Sequence, residues 1–248
     1  MSAFQVAKEW LEVSRNTVLF YPAAGSDYAE ALTVFRDYVD VFCFCDINYP
    51  SGLELPAVCA SDTGLRLVDK YISGDPRAMM EQRIAENNRP YHFLQPSKLV
   101  EIYERADGRR LTVIRRRGFG QIGLSKEFSD GSIGVFMHRG DSPGEGGSHV
   151  YFLANKKTAY EPCGNLFDKL ACRLRDKALI ISDGSNSSIR EVRRFHNKSK
   201  EGPEAFSYHQ GRCFSFGGFL WTCVGWLSRK YGPTLVWGVT RHLQSSVG

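Results

Sequence analysis

The chain has 248 residues, of which 42% are hydrophobic and 24% are charged. These values are ordinary for globular proteins, so they argue against a disordered chain and allow one large domain or two small ones. The net charge of +5 is compatible with an anionic partner and does not require one.

The seven cysteines form no Cys-x-x-Cys pair, and several lie in apolar runs, such as Cys43 and Cys45. This pattern predicts reduced core thiols in a reducing compartment, and no metal site. Residues 1–12 carry no apolar signal-peptide segment, and no uninterrupted apolar stretch is long enough to span a bilayer. We therefore expect a cytoplasmic protein without membrane association.

The first predicted elements are a helix over residues 3–13 and a strand over 17–21. Apolar residues at helical spacing indicate the helix, and a short apolar run typical of buried parallel strands indicates the strand. A helix over 28–39 and a second apolar strand over 41–45 follow. Residues 17–46 therefore predict a βαβ unit.

The middle of the chain has weaker patterns. Residues 50–64 are rich in Pro, Gly and Ser and predict a loop, whereas 65–72 and 76–86 have helical spacing. Residues 111–128 are interpreted as two strands around the glycines at 118 and 120.

Strands and helices alternate again towards the C-terminus. The predicted elements are a strand at 133–138, a helix at 165–174, a strand at 178–181, a helix opening at 188–191, and strands at 219–227 and 234–241. The alternation predicts a single α/β domain over 1–248, with a Rossmann-like, mainly parallel sheet, helices on both faces and an antiparallel C-terminal hairpin.

Four segments rich in Gly, Ser and Asp follow predicted strands: 22–27, 46–52, 139–148 and 182–188. Parallel strands would bring them to one edge, where ligands bind in open parallel sheets. A small-residue turn lets a ligand approach the backbone, and an acid after the second strand can bind ribose hydroxyls. The residues predicted to bind a nucleotide-type cofactor are Ala24, Gly25, Ser26, Asp46, Asp183 and Ser185. The structural alternative is that these segments are tight turns and caps.

The loop over 138–148 contains four glycines, which is typical of a ligand-binding loop or a mobile lid. Its predicted catalytic residues are His138, Asp141 and Glu145, with either carboxylate as a general base and Arg139 as a clamp on an anionic group. The alternative is a solvated hairpin loop.

Two basic stretches could bind a phosphate backbone. The residues proposed for such nucleic-acid contacts are Arg115, Arg116, Arg117, Arg190, Arg193 and Arg194. A solvated charged surface is the alternative.

The order of elements over 17–46 and 132–241 resembles that of class I S-adenosylmethionine-dependent methyltransferases. The resemblance implies that Gly25 lies in the loop that holds the methionine part of the cofactor, and that Asp46 holds its ribose. It also implies a catalytic loop near Asp141.

The first functional hypothesis is therefore a methyltransferase-like protein that binds S-adenosylmethionine. A non-catalytic nucleotide- or nucleic-acid-binding protein is the second hypothesis. A nucleotide hydrolase or glycosyl-transfer enzyme using Asp141 or Glu145 is the third.

Overall fold

A computed structural model gives the arrangement of the chain. It describes residues 4–50, 52–58, 64–75, 80–83, 90–94, 97–118, 120, 124, 128–139, 166–184, 189–193, 202–227 and 234–242. The helices whose bounds are described are α1 (Lys8–Val13), α2 (Ala29–Phe35), α3 (Leu166–Ala171), α4 (Arg190–Arg193) and α5 (Gly202–His209).

Thirteen strands are described. They are β1 (Phe4–Val6), β2 (Val18–Pro22), β3 (Val41–Asp46), β4 (Arg66–Ser73), β5 (Met80–Arg83), β6 (Pro90–Leu94), β7 (Lys98–Glu104), β8 (Arg110–Arg117), β9 (Ile133–His138), β10 (Leu174–Ser182), β11 (Cys213–Phe216), β12 (Phe219–Leu227) and β13 (Thr234–Arg241).

Eleven strands form one mixed sheet in the order β1-β12-β13-β10-β9-β2-β3-β8-β7-β4, and β11 pairs with β12. The five central strands, β10, β9, β2, β3 and β8, are mutually parallel. Antiparallel strands flank them on both sides. β5 and β6 form a separate antiparallel pair.

The predicted Rossmann-like α/β fold is wrong. The described part of the chain is mainly β, with 47% strand and 18% helix, and its helices are few and short. One reason lies in the connection from β3 to β8, which contains strands β4–β7 where a Rossmann-like fold has a crossover helix. Antiparallel ladders therefore account for much of the sheet.

The predicted helices over 65–72 and 76–86 are also wrong, because β4 and β5 lie there. Val68, Tyr71 and Ile72 are of the β-branched and aromatic types that suit a strand. Pairing of β4 with β7 decided the conformation over the weak helical spacing.

The sheet has a buried apolar cluster on each face. One contains Phe20, Phe136 and Trp221, and α3 contributes Leu166 to it. The other contains Leu19 beside residues of α2. Because successive residues of a strand point to opposite faces, a central strand buried on both faces needs a continuous apolar sequence, as in β9.

Candidate functional site

The parallel strands end together at one edge of the sheet. In the parallel registers, Pro22 of β2 lies opposite Cys45 of β3, and His138 of β9 lies opposite Ser182 of β10. We call this edge, formed by the last residues of β8, β3, β2, β9 and β10, the carboxyl edge. The segments that follow these strands therefore leave the sheet side by side.

The order of the parallel strands reverses between β2 and β9. From β2 the chain continues to β3 and β8 on one side, whereas β9 and β10 lie on the other side. The connections therefore diverge at this point. In open parallel sheets, ligands bind preferentially at such a reversal, outside the carboxyl ends of the strands.

The turn after β2 has an unusual backbone. Ala23 and Gly25 have φ values of 53° and 50°, in the left-handed region. Gly25 adopts this conformation at little cost, whereas Ala23 does so under strain. The N–H of Ala24 donates to Cys45 O at 3.2 Å, and that of Asp27 donates to Ala24 O at 2.7 Å. The turn is thus fixed against β3.

Asp46, the last residue of β3, binds this turn directly. Its Oδ2 accepts a hydrogen bond from the Gly25 N–H at 2.7 Å, and its Oδ1 accepts one from the Asn48 N–H at 2.7 Å. The Tyr49 hydroxyl donates to Gly25 O at 2.9 Å. Burial and the charge of Asp46 raise the pKa of Tyr49 well above its ordinary value, so Tyr49 remains a neutral donor.

Arg139 follows β9 and links it to the turn after β2. Its Nη2 lies 2.9 Å from Asp27 Oδ2 and 2.6 Å from Glu30 Oε2, and its side chain is fully buried. The Tyr21 hydroxyl also donates to Asp27 Oδ2, at 3.0 Å. Burial opposes the charge of Arg139, yet Tyr21, Glu30 and Asp27 together raise its pKa above the ordinary value.

Asp27 and Glu30 have the spacing of a capping box at the start of a helix, and Arg139 was predicted to be a clamp on an anionic group. Tyr28 is the N-cap of α2, and no side chain caps it by a hydrogen bond. Both acids instead pair with Arg139. Spacing alone could not find this pair, because Asp27 and Arg139 are 112 residues apart.

The predicted cofactor residues Ala24, Gly25 and Ser26 lie in the turn that contacts Asp46. Asp183, which is buried, follows the end of β10. In the turn there, the Gly184 N–H donates to the Ser182 hydroxyl at 3.0 Å.

His138, predicted to be catalytic, is buried at the end of β9, with its ring nearly parallel to that of Phe136 at 6.3 Å between centroids. The predicted residues Asp141, Glu145 and Ser185 lie outside the described residues.

The basic residues proposed for nucleic acid have mixed positions. Arg115 and Arg116 are buried, and Arg117 is half-buried with its Nε 3.4 Å from Ile47 O. The backbones of Arg190 and Arg193 lie in α4, whereas Arg194 lies outside the described residues. Arg115 and Arg116 therefore do not form part of an exposed basic surface.

Sequence reasoning missed Tyr49 as a partner of the turn and Arg115 as part of a buried ion pair. Arg115 Nη2 lies 3.0 Å from Glu101 Oε2 and also donates to Pro56 O at 2.6 Å. Its guanidinium carbon lies 5.6 Å from the centre of the Tyr28 ring. The available signal was an arginine directly after the apolar residues Val113 and Ile114 of a predicted strand, and it was interpreted as part of a basic stretch.

Comparison with known proteins gives no relative: no family model, curated protein or solved structure matches the chain. Within the described ranges, no three His, Cys, Asp or Glu side chains are grouped so that they could hold a metal ion. No described helix combines the length and apolar character needed to cross a membrane.

Proposed function

We propose that the carboxyl edge binds a nucleoside cofactor and that the chain is a methyltransferase-like protein. S-adenosylmethionine is the preferred candidate for this cofactor. The observation that carries the proposal is the 2.7 Å hydrogen bond between the Gly25 N–H and the Asp46 carboxylate beside the strand-order reversal. It holds a buried acid next to a turn of small residues. Ribose hydroxyls donate to such an acid, while the small turn admits the rest of the ligand.

The charges around the turn favour a cationic cofactor over a phosphorylated one. Among the described residues, the turn and its direct contacts contain three carboxylates, those of Asp27, Glu30 and Asp46, and one guanidinium, that of Arg139. A triphosphate or pyrophosphate would be repelled by this balance, because like charges at short range are unfavourable in a poorly solvated site. The sulfonium and ammonium groups of S-adenosylmethionine would be attracted.

Isothermal titration calorimetry tests the proposal with S-adenosylmethionine, its demethylated product S-adenosylhomocysteine, and ATP. We expect saturable binding of the first two and much weaker binding of ATP. Asp46→Asn should weaken S-adenosylmethionine binding by about ten- to a hundredfold, because a hydrogen bond to a charged group contributes about 1.5–3 kcal/mol.

Asp107→Asn is the matched control, since Asp107 is an exposed acid in the turn before β8, at the opposite edge of the sheet, and it pairs with Arg109. It should bind like the unchanged protein. Absence of heat with both sulfur compounds at millimolar concentration, or equal affinity of Asp46→Asn and the unchanged protein, would overturn the proposal.

A further inference from the structure

We infer that Arg139 is a positioning residue that fixes the turn after β2 relative to the end of β9, so that these two segments move as one unit. The inference deepens the proposed function and rests on it for the identity of the ligand. Along the sequence, Arg139 immediately precedes Gly140 and lies two residues before Asp141. It is therefore the last described residue before the segment whose residues the sequence predicts to be catalytic.

A continuous set of contacts connects Arg139 with Asp46. Arg139 pairs with Asp27, whose N–H donates to Ala24 O within the turn. The next residue, Gly25, donates to Asp46. Since the links are an ion pair, two hydrogen bonds and the peptide bond between Ala24 and Gly25, we expect a displacement of Asp27 to shift the Gly25 N–H.

The geometry argues against an anion clamp. One nitrogen of Arg139, Nη2, already contacts both Asp27 and Glu30, and the side chain has no solvent exposure. An external phosphate would have to reach a guanidinium that is closed to solvent, and it would compete with both carboxylates for the positive charge. We therefore assign this cation the role of holding its two acids in place.

Substitution of Arg139 should therefore lower the local stability of the turn after β2 more than the stability of the whole fold. Arg139→Lys keeps the charge but replaces a planar fork of donors with a shorter, flexible ammonium group. The matched control is Arg105→Lys, because Arg105 is also buried but its guanidinium donates to backbone carbonyls of Arg110 and Val39, at the start of β8 and before β3.

Hydrogen–deuterium exchange of the ligand-free protein measures the effect. In Arg139→Lys, the amides of Gly25 and Asp27 should exchange about tenfold faster, whereas amides in the centre of β10 should change no more than in Arg105→Lys. In the same variant, binding of S-adenosylmethionine should weaken by about tenfold, and in Arg105→Lys it should not change. A general loss of stability would not produce this local pattern.

Glu30→Gln provides a milder second variant if Arg139→Lys fails to fold, since it removes one of the two carboxylates and leaves Asp27 paired. It should accelerate the same two amides. Unchanged exchange at Gly25 and Asp27 in a folded variant overturns the positioning role, whatever ligand binds. Accelerated exchange in a protein that does not bind S-adenosylmethionine supports the positioning role and overturns the proposed cofactor.

Discussion

Replacing Arg115 with methionine tests the buried ion pair between β8 and β7. Arg115 Nη2 lies 3.0 Å from Glu101 Oε2, and neither side chain has any solvent exposure. Removal of one partner leaves a buried charge without its counter-ion, which typically costs about 3–5 kcal/mol. We therefore expect Arg115→Met to lower the free energy of unfolding by about that amount at pH 8, measured by urea denaturation.

The penalty should also depend on pH. Burial raises the pKa of Glu101 above its ordinary value even though Arg115 opposes the shift, so loss of Arg115 raises that pKa further. A carboxyl with a raised folded pKa contributes stability that is fully present below its unfolded pKa and is lost as the pH rises through the folded value. The destabilisation by Arg115→Met should therefore be smallest in acid and grow by at most about 1.4 kcal/mol per pH unit until Glu101 is ionised.

Two further variants make the test decisive. Arg66→Met removes an exposed pair, Arg66 Nη2 to Glu104 Oε1 at 2.8 Å between β4 and β7, and should cost less than about 1 kcal/mol. The double variant Glu101→Leu with Arg115→Met should recover much of the loss, because an apolar pair replaces the ions. A cost for Arg115→Met below about 1 kcal/mol at pH 8, or an equal cost at pH 5 and pH 8, would refute this reasoning.

Three more predictions follow from burial. Burial raises the pKa of Cys223 to about 12, so its thiol should resist iodoacetamide at pH 8 in the folded protein, whereas the exposed Cys213 should react. Peptide mass spectrometry measures the two rates of alkylation. The stability that the neutral Cys223 thiol contributes should be fully present below its ordinary pKa near 9 and be lost as the pH rises towards 12. Gly238→Ala should destabilise by about 1–3 kcal/mol in urea titration, since the added Cβ would lie 2.5 Å from the Trp10 ring. Arg105→Met should cost about 1–3 kcal/mol in the same assay, because buried carbonyls lose their donors.

The controls for these predictions lie in the same chain. Gly52→Ala should be tolerated, because its Cβ would meet the Glu54 side chain at an ordinary 3.6 Å. Alkylation of Cys223 as fast as Cys213 would contradict its burial. A Gly238→Ala protein as stable as the unchanged one would show that Trp10 moves aside without cost, and full stability of Arg105→Met would show that water replaces its donors.

Strand positions were predictable from the sequence where a strand is a continuous apolar run. β2, β3 and β9 are continuous apolar runs, and their patterns predicted strands within a residue or two of the observed bounds. β4 was predicted as a helix, because an exposed edge strand need not alternate apolar and polar residues. β7 was missed, although its residues Leu99, Val100 and Tyr103 are buried. Its pairing with β4 and β8 depends on long-range contacts that a local pattern does not contain.

The fold class was predicted wrongly because those antiparallel strands were not recognised. The prediction that the segments after the parallel strands leave the sheet at one edge did not depend on them. Parallel pairing of β2 with β3 and with β9 is sufficient to bring the segments after these strands to one edge, whatever connects them. The ion pairs of Arg139 form between the end of β9 and the segment after β2, and a local sequence pattern contains no information about such contacts. The sequence places Arg139 directly after a buried strand, with acids after the neighbouring parallel strand. This pattern is as consistent with an internal ion pair as with a binding site for an anionic ligand. Burial distinguishes the two roles, since an arginine that binds a ligand must keep its guanidinium accessible, whereas the guanidinium of an internal ion pair can be fully buried.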